Sequence, residues 1–167
     1  MYRMALITML CPASLAARLD LPRCTRLALV HDLAEALVGD ITPVDGISKA
    51  EKSRREAATI DGYVCRDLLG AYDGGRQAEE IALLWREYED NESLEARFVH
   101  DIDKMELLLQ TVEYERDCGG RLDLGEFTYV ADRVALPEVK AWCVEVLRER
   151  EEFWKGKGGG EGLGVTR

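Results

Sequence analysis

The chain has 167 residues, of which 47% are hydrophobic and 32% are charged, the balance of a soluble globular protein of one domain. Its formal net charge of −10 argues against a broad surface for nucleic-acid polymers or anionic membranes, because both need a basic face. No apolar run approaches the ~20 residues that cross a bilayer, and five scattered cysteines without a CxxC pair favour reduced thiols in the cytoplasm or nucleus.

Apolar residues recur at helical spacing along the chain, and no segment alternates with the period of two that marks a strand. The sequence therefore predicts an all-α fold, a bundle of about six or seven helices in one domain over residues 1–154. Residues 155–167 are rich in glycine and are predicted to be a disordered tail. The first twenty residues could pass for a signal peptide, but their apolar periodicity favours a helix of the core.

Turn and capping residues divide the chain into helices. The first predicted helix covers residues 2–10 and ends near Pro12, and a turn follows at 15–19. Pro22 opens the central helix, 23–38, and Gly39 ends it. Ser48 and Glu51 form a capping box for the next helix. That helix is predicted over residues 48–69. Further helices are predicted over 77–88, 93–114 and 126–131, and Pro137 is predicted to begin the last one.

Four ionisable residues interrupt the apolar run LALVHDLAEALVGDITP, which covers residues 27–43. On a continuous α-helix, His31 and Glu35 share one face, Asp32 is their neighbour, and Asp40 follows the end of the helix. Aspartate is a poor helix former, and a lone buried carboxylate is costly. The adjacent histidine and aspartate therefore favour a metal site over a surface histidine beside an aspartate of the kind found at helix N-termini.

The helix predicted over 93–114 carries a second candidate ligand. Its apolar stripe comprises Phe98, Ile102, Met105, Leu108, Leu109 and Val112. Asp103 lies beside that stripe, whereas His100 and Asp101 fall where charged side chains are expected to reach solvent.

Lys49, Lys52, Arg54 and Arg55 form a local basic group in an acidic chain. Because Glu51 and Glu56 stand among them, a solvated helix face with ion pairs is favoured over a phosphate contact.

Several segments together carry a resemblance to a known family. They are HDLAEALVGDITP, KAEKSRREA, WREYE and ARFVHDIDKMELLLQTVEYE. In this combination, over residues 2–150, the chain resembles the HD-domain superfamily of metal-dependent phosphohydrolases, and within it the 5′-deoxynucleotidase branch. The combination of HDxAExxxGDI with the later helix is far more specific than the His-Asp pair alone.

The resemblance implies a set of site residues. His31, Asp32 and Asp103 match the family's ligands for a divalent metal, Mn²⁺, Co²⁺ or Mg²⁺. Glu35 and Asp40 match residues that take part in catalysis. In eukaryotic members these two carboxylates are associated with a second cation, together with the main-chain oxygen of the residue that matches Ile41. Asp40 and Thr42 match the loop that meets the nucleotide sugar. Without the resemblance, Glu35 could be a solvated helix residue and Asp40 a turn former.

One family ligand has no match in the printed sequence. In relatives the first histidine directly precedes a Met-Tyr-Arg-Met-Ala-type segment, and this sequence opens with that segment at Met1. The expectation is a chain truncated at its N-terminus, or a protein that has lost this ligand together with the upstream loop that helps to hold the phosphate.

The function expected from the resemblance is hydrolysis of deoxyribonucleoside 5′-monophosphates to deoxynucleoside and phosphate, by a cytoplasmic or nuclear homodimer. The alternative is a catalytically impaired HD-fold protein that binds nucleotides or dimerises. A phosphodiesterase or triphosphohydrolase of the same superfamily is a third hypothesis.

Overall fold

The structure, a computed structural model, describes residues 1–157, and every regular element in that range is helical. The predicted all-α class is therefore confirmed. Eight α-helices are present in the described range, slightly more than predicted, since two of them have only four residues. Within the same range, no helix is both long and apolar enough to cross a membrane. The chain divides into two compact units, Met1–Val99 and His100–Arg167.

The first unit is built from short helices that follow the predicted breaks. Asp20 caps α3 by accepting the Arg23 N–H at 3.0 Å, with proline at the start of the helix. The helices are α1 (Tyr2–Thr8), α2 (Ala13–Ala16), α3 (Leu21–Val30), α4 (Glu35–Val38), α5 (Lys49–Ala58) and α6 (Arg76–Asp90), and α7 (Leu94–Asp117) begins here.

The core of this unit explains why its helices pack. α1 and α3 are neighbours, and both bury apolar residues. A second cluster joins Ala34 to Ile60, Val64, Ala82 and Trp85, all nearly inaccessible to solvent. Ala34 lies just before α4, so this cluster anchors the chain immediately after His31 and Asp32.

The central helix is not continuous, which corrects the prediction of one helix over residues 23–38. It leaves the α-helical pattern after Val30 and tightens, because Leu33 N–H donates to Val30 O and Glu35 N–H to Asp32 O, each at 3.0 Å. These bonds span three residues rather than four, as in a 3₁₀-helix. Gly39, with φ of +72°, then ends α4 as predicted.

α5 begins at the predicted cap and changes character halfway along the predicted segment. Ser48 Oγ accepts the Glu51 N–H at 3.2 Å, while the Glu51 carboxylate binds Arg54 and Arg55 at 2.7–2.8 Å. The ion-paired interpretation is confirmed for these two arginines. From Thr59 to Leu68 the helix continues with π-helical bonding, a wider geometry that is frequent near functional sites.

The second unit contains the remainder of α7, a 3₁₀ segment (Gly125–Arg133) and α8 (Pro137–Lys157). Proline at its first position opens α8 as predicted. α8 extends to Lys157, three residues into the predicted tail, and residues 158–167 lie outside the described range.

Asp101 is buried, which corrects the expectation that it reaches solvent. Its side chain is 2% exposed, and Oδ2 accepts the N–H groups of Ala135 and Leu136 at 3.0 and 2.7 Å. Lys104 lies 3.2 Å from Oδ1. Asp101 thus fixes the chain that leads into α8, which is a structural role.

Glu115 is the centre of a further buried polar cluster in this unit and is fully inaccessible to solvent. Arg150 binds both of its oxygens, the Trp154 indole donates to it at 2.8 Å, and the Leu124 N–H donates at 2.7 Å. Asp123 binds the other side of the Arg150 guanidinium. Because each carboxylate oxygen has donors, burial of the charge is compensated.

Candidate metal centre

The imidazole of His31 is held in one orientation inside the first unit. The residue is 4% exposed, and its ring packs on Tyr88 with 4.9 Å between ring centroids. Nδ1 lies 3.1 Å from the carbonyl oxygen of Ala28. A carbonyl only accepts hydrogen bonds, so Nδ1 carries the hydrogen, which leaves Nε2 as the nitrogen for a proton or a metal.

Nε2 of His31 faces the carboxylate of the next residue. The distance from Nε2 to Asp32 Oδ2 is 3.0 Å, and Asp32 is partly exposed. With the hydrogen on Nδ1, two electron-rich atoms meet at this distance, so a positive charge must lie between them. A proton on Nε2 satisfies the pair, and so does a divalent cation that both atoms bind. The donor chemistry of this turn therefore fits a metal.

The tightened turn changes which side chains share a face. In a 3₁₀ turn, residues three apart eclipse each other, so Asp32 aligns with Glu35 rather than His31 with Glu35. The prediction that His31 and Glu35 share a face assumed a continuous α-helix and is replaced by this alignment. Burial, together with the charges of Asp32 and Asp40, raises the pKa of Glu35 to about 7.

The loop after α4 contributes Asp40, Ile41 and Thr42. Asp40 is exposed, and its charge acts on both Glu35 and Glu56. The Thr42 N–H and hydroxyl both donate to Asp45 Oδ2, at 2.7 and 2.8 Å, which holds the pKa of Asp45 below its usual range. The threonine hydroxyl oxygen keeps lone pairs for a further contact.

Two residues of α5 belong to this site and were not predicted for it. Lys52 Nζ donates to the carbonyl oxygen of Ile41 at 3.1 Å and lies 3.6 Å from Glu56 Oε1. Glu56 is 5% exposed, and burial raises its pKa while Lys52 opposes the rise. Their spacing of four residues places both on one face of α5, which was the available sequence signal.

Asp103, the predicted third ligand, lies on α7 in the second unit and is partly buried there. Within residues 1–157, no group of three or more His, Cys, Asp or Glu side chains is close enough together to hold a metal ion. The structure thus brings together the side chains of His31 and Asp32, with Glu35, Asp40 and Glu56 as charged residues of the same unit.

An all-helical fold with adjacent histidine and aspartate residues indicates a class of protein, the helical phosphohydrolases. The sequence profile of the HD domain matches residues 1–141, and the chain belongs to the HD-domain family. HD-domain phosphohydrolases are metal-dependent.

Proteins of known function in this family align over most of the chain. The 5′-deoxynucleotidase hdd1 of Schizosaccharomyces pombe is 44% identical over 154 residues, which are 92% of this chain and 75% of that protein. The 5′-deoxynucleotidase YBR242W of Saccharomyces cerevisiae is 46% identical over 154 residues, 92% of this chain and 63% of that protein. The chain thus spans less than two thirds of this second relative.

Among solved structures, the fold is similar to that of HD domain-containing protein YGK1, with a TM-score of 0.72 and 37% identity. The alignment covers 92% of this chain and 76% of that one.

Proposed function

We propose that this protein is a metal-dependent phosphoric monoester hydrolase that acts as a 5′-deoxynucleotidase. The observation that carries the proposal is the His31–Asp32 pair: the imidazole is buried and oriented, and its Nε2 lies 3.0 Å from Oδ2 of the partly exposed Asp32. Relatives that align over about nine tenths of the chain bear the name 5′-deoxynucleotidase. These names do not favour the alternative of a non-catalytic nucleotide-binding or dimerisation module.

The proposed metal ligands are His31, Asp32 and Asp103, the last from the family resemblance. A divalent cation bound there supplies a Lewis acid for a phosphate oxygen and for the attacking water. The contact with Ala28 O places the His31 hydrogen on Nδ1, so Nε2 is the ring nitrogen available to a metal. Mn²⁺, Co²⁺ and Mg²⁺ are the candidate cations.

Glu35 is proposed either to act directly as the general base or to orient the attacking water through a second cation. A carboxylate with a pKa of about 7 is matched to the pH of the cell, so it can accept a proton from water and release it again. Asp40 and Thr42 are proposed to contact the deoxyribose. Glu35, Asp40 and the carbonyl oxygen of Ile41 are the proposed ligands of a second cation.

Phosphate release from dAMP and dUMP by chelator-treated protein tests the proposal. Activity is expected to return with Mn²⁺, Co²⁺ or Mg²⁺, and to be lower on AMP. No phosphate release with any of these cations would refute the proposed function. Release of diphosphate or triphosphate from deoxynucleotides, or cleavage of a phosphodiester, would assign the protein to another reaction of the superfamily.

The resemblance also supports a homodimer in the cytoplasm or nucleus. Sedimentation of the purified chain tests the first expectation, because a dimer has twice the mass of the monomer. Imaging of a tagged full-length protein tests the second.

A further inference from the structure

Lys52 is a cation that the fold builds into the acidic part of the site. Its ammonium group lies 3.1 Å from the carbonyl oxygen of Ile41 and 3.6 Å from Glu56. Its charge also acts on Glu35. Lys52 therefore interacts with Ile41, Glu56 and Glu35. Ile41 and Glu35 are proposed ligands of the second cation.

Lys52 and the proposed second cation share one ligand atom, the carbonyl oxygen of Ile41. It accepts the Lys52 hydrogen bond, and it is also a proposed ligand of the second cation. An oxygen can meet two partners, but an ammonium and a divalent cation on one carbonyl repel each other strongly. The two positive charges must compete for this oxygen and for the carboxylates around it.

The local structure holds Lys52 in that position. Ser48 caps α5 one turn before Lys52, which fixes the start of the helix. Glu56 lies one turn after it on the same face and is nearly inaccessible to solvent. The aliphatic part of the Lys52 side chain thus lies between the N-terminus of α5 and the buried Glu56, and its ammonium group reaches the loop that contains Ile41.

We propose that Lys52 is a positioning residue that acts as an internal counter-cation and sets the affinity of the second cation site by competing for the Ile41 carbonyl oxygen. The inference rests on the second-cation ligands of the proposed function. It implies that the protein keeps this loop in place without a divalent cation and binds that cation weakly enough to exchange it.

Calorimetric titration of Mg²⁺ into the chelator-treated full chain tests the inference, since Mg²⁺ prefers the oxygen ligands of this site. Lys52→Met is expected to bind Mg²⁺ about tenfold more tightly than the wild type, because a neighbouring positive charge is removed. Lys52→Arg keeps the charge and is expected to stay close to the wild type. A purely structural role for Lys52 would weaken binding instead.

Two controls make the result specific. Lys49→Met removes the same charge from an exposed position of the same helix and is expected to change the affinity little. Combining Lys52→Met with Glu35→Gln, which removes a second-site ligand, is expected to abolish the gain. Equal or weaker binding by Lys52→Met, or an equal gain in Lys49→Met, would overturn the inference.

The deoxynucleotidase assay separates this inference from the proposed function. A tighter Lys52→Met site in a protein without phosphate release would refute the proposed reaction and leave the role of Lys52 standing. Phosphate release by a wild type whose Mg²⁺ affinity does not respond to Lys52→Met would refute only the inference.

Discussion

Both units bury carboxylates, but the donors and cations that compensate the negative charge differ between the two units. In the second unit, Glu115 has a guanidinium, an indole and a backbone N–H as donors, and Asp101 has two backbone N–H groups and Lys104. In the first unit, Lys52 acts on Glu35 and Glu56, while the negative charges of Asp32 and Asp40 act on the same two carboxylates in the opposite sense.

This difference separates structural carboxylates from functional ones. A buried acid whose oxygens all have donors stabilises one arrangement of the chain. An acid whose pKa is raised by burial and by neighbouring negative charges is less stable in its charged form, and a bound cation relieves this cost. The first unit keeps this excess of negative charge beside the His31–Asp32 turn, where a divalent cation would be bound.

Removing the Glu115 carboxylate is expected to have the largest effect on stability. Glu115→Ala leaves the mostly buried Arg150 charge without its main partner, at a cost of roughly 3–5 kcal/mol in the free energy of unfolding. Urea unfolding measures it. Glu149→Ala is the matched control, since it breaks an exposed pair with Arg116 and should cost less than about 1 kcal/mol. Equal losses would mean that Glu115 is not the structural centre of this unit.

His31→Gln tests whether the His31 imidazole of the first unit is required for phosphate release. The variant keeps the size and polarity of the side chain but loses the oriented imidazole. Phosphate release from dAMP is expected to fall about a hundredfold or more, roughly 3 kcal/mol of transition-state stabilisation. His100→Gln makes the same exchange at the other histidine of the chain and should retain activity. Undiminished turnover in His31→Gln would remove His31 from the mechanism.

Glu35 should make the metal-free protein less stable as the pH rises. Its pKa is about 7 in the folded protein, above its ordinary value of 4.5, so the unfolded chain loses this proton first. Between pH 4.5 and 8, in chelator, the free energy of unfolding of the wild type should fall by on the order of 2 kcal/mol relative to that of Glu35→Gln. This figure is discounted because Glu35 is partly exposed to solvent. Urea unfolding at several pH values measures the difference. A difference that does not change with pH would contradict the raised pKa.

Much of the fold was accessible from sequence because its signals are local. Caps and breakers such as Ser48, Gly39 and Pro137 act on the nearest turn, and the helices they bound are present. The His31–Asp32 pair was also recognisable, since ionisable residues in an apolar run are costly without a purpose.

The remaining features depend on partners that sequence spacing does not reveal. Asp101 is buried because it binds N–H groups 34 and 35 residues away. Lys52 was assigned to an ion-paired face because Glu51 and Glu56 stand nearby, and it does lie 3.6 Å from Glu56. Its other partner, the backbone carbonyl of Ile41, leaves no mark in the sequence. The tightening at residues 31–35 keeps the apolar pattern of an α-helix, so periodicity could not distinguish the two.

The central claim is that His31 and Asp32, in the acidic part of the first unit, bind a divalent cation. Equilibrium dialysis of the chelator-treated chain against Mn²⁺ tests it most directly, with Asp32→Asn compared to the wild type. Asp67→Asn, an exposed acid paired with Arg66, controls for the loss of charge. We expect Asp32→Asn to bind Mn²⁺ at least about tenfold more weakly, and Asp67→Asn to match the wild type. Equal Mn²⁺ affinity in the wild type and Asp32→Asn would contradict the claim.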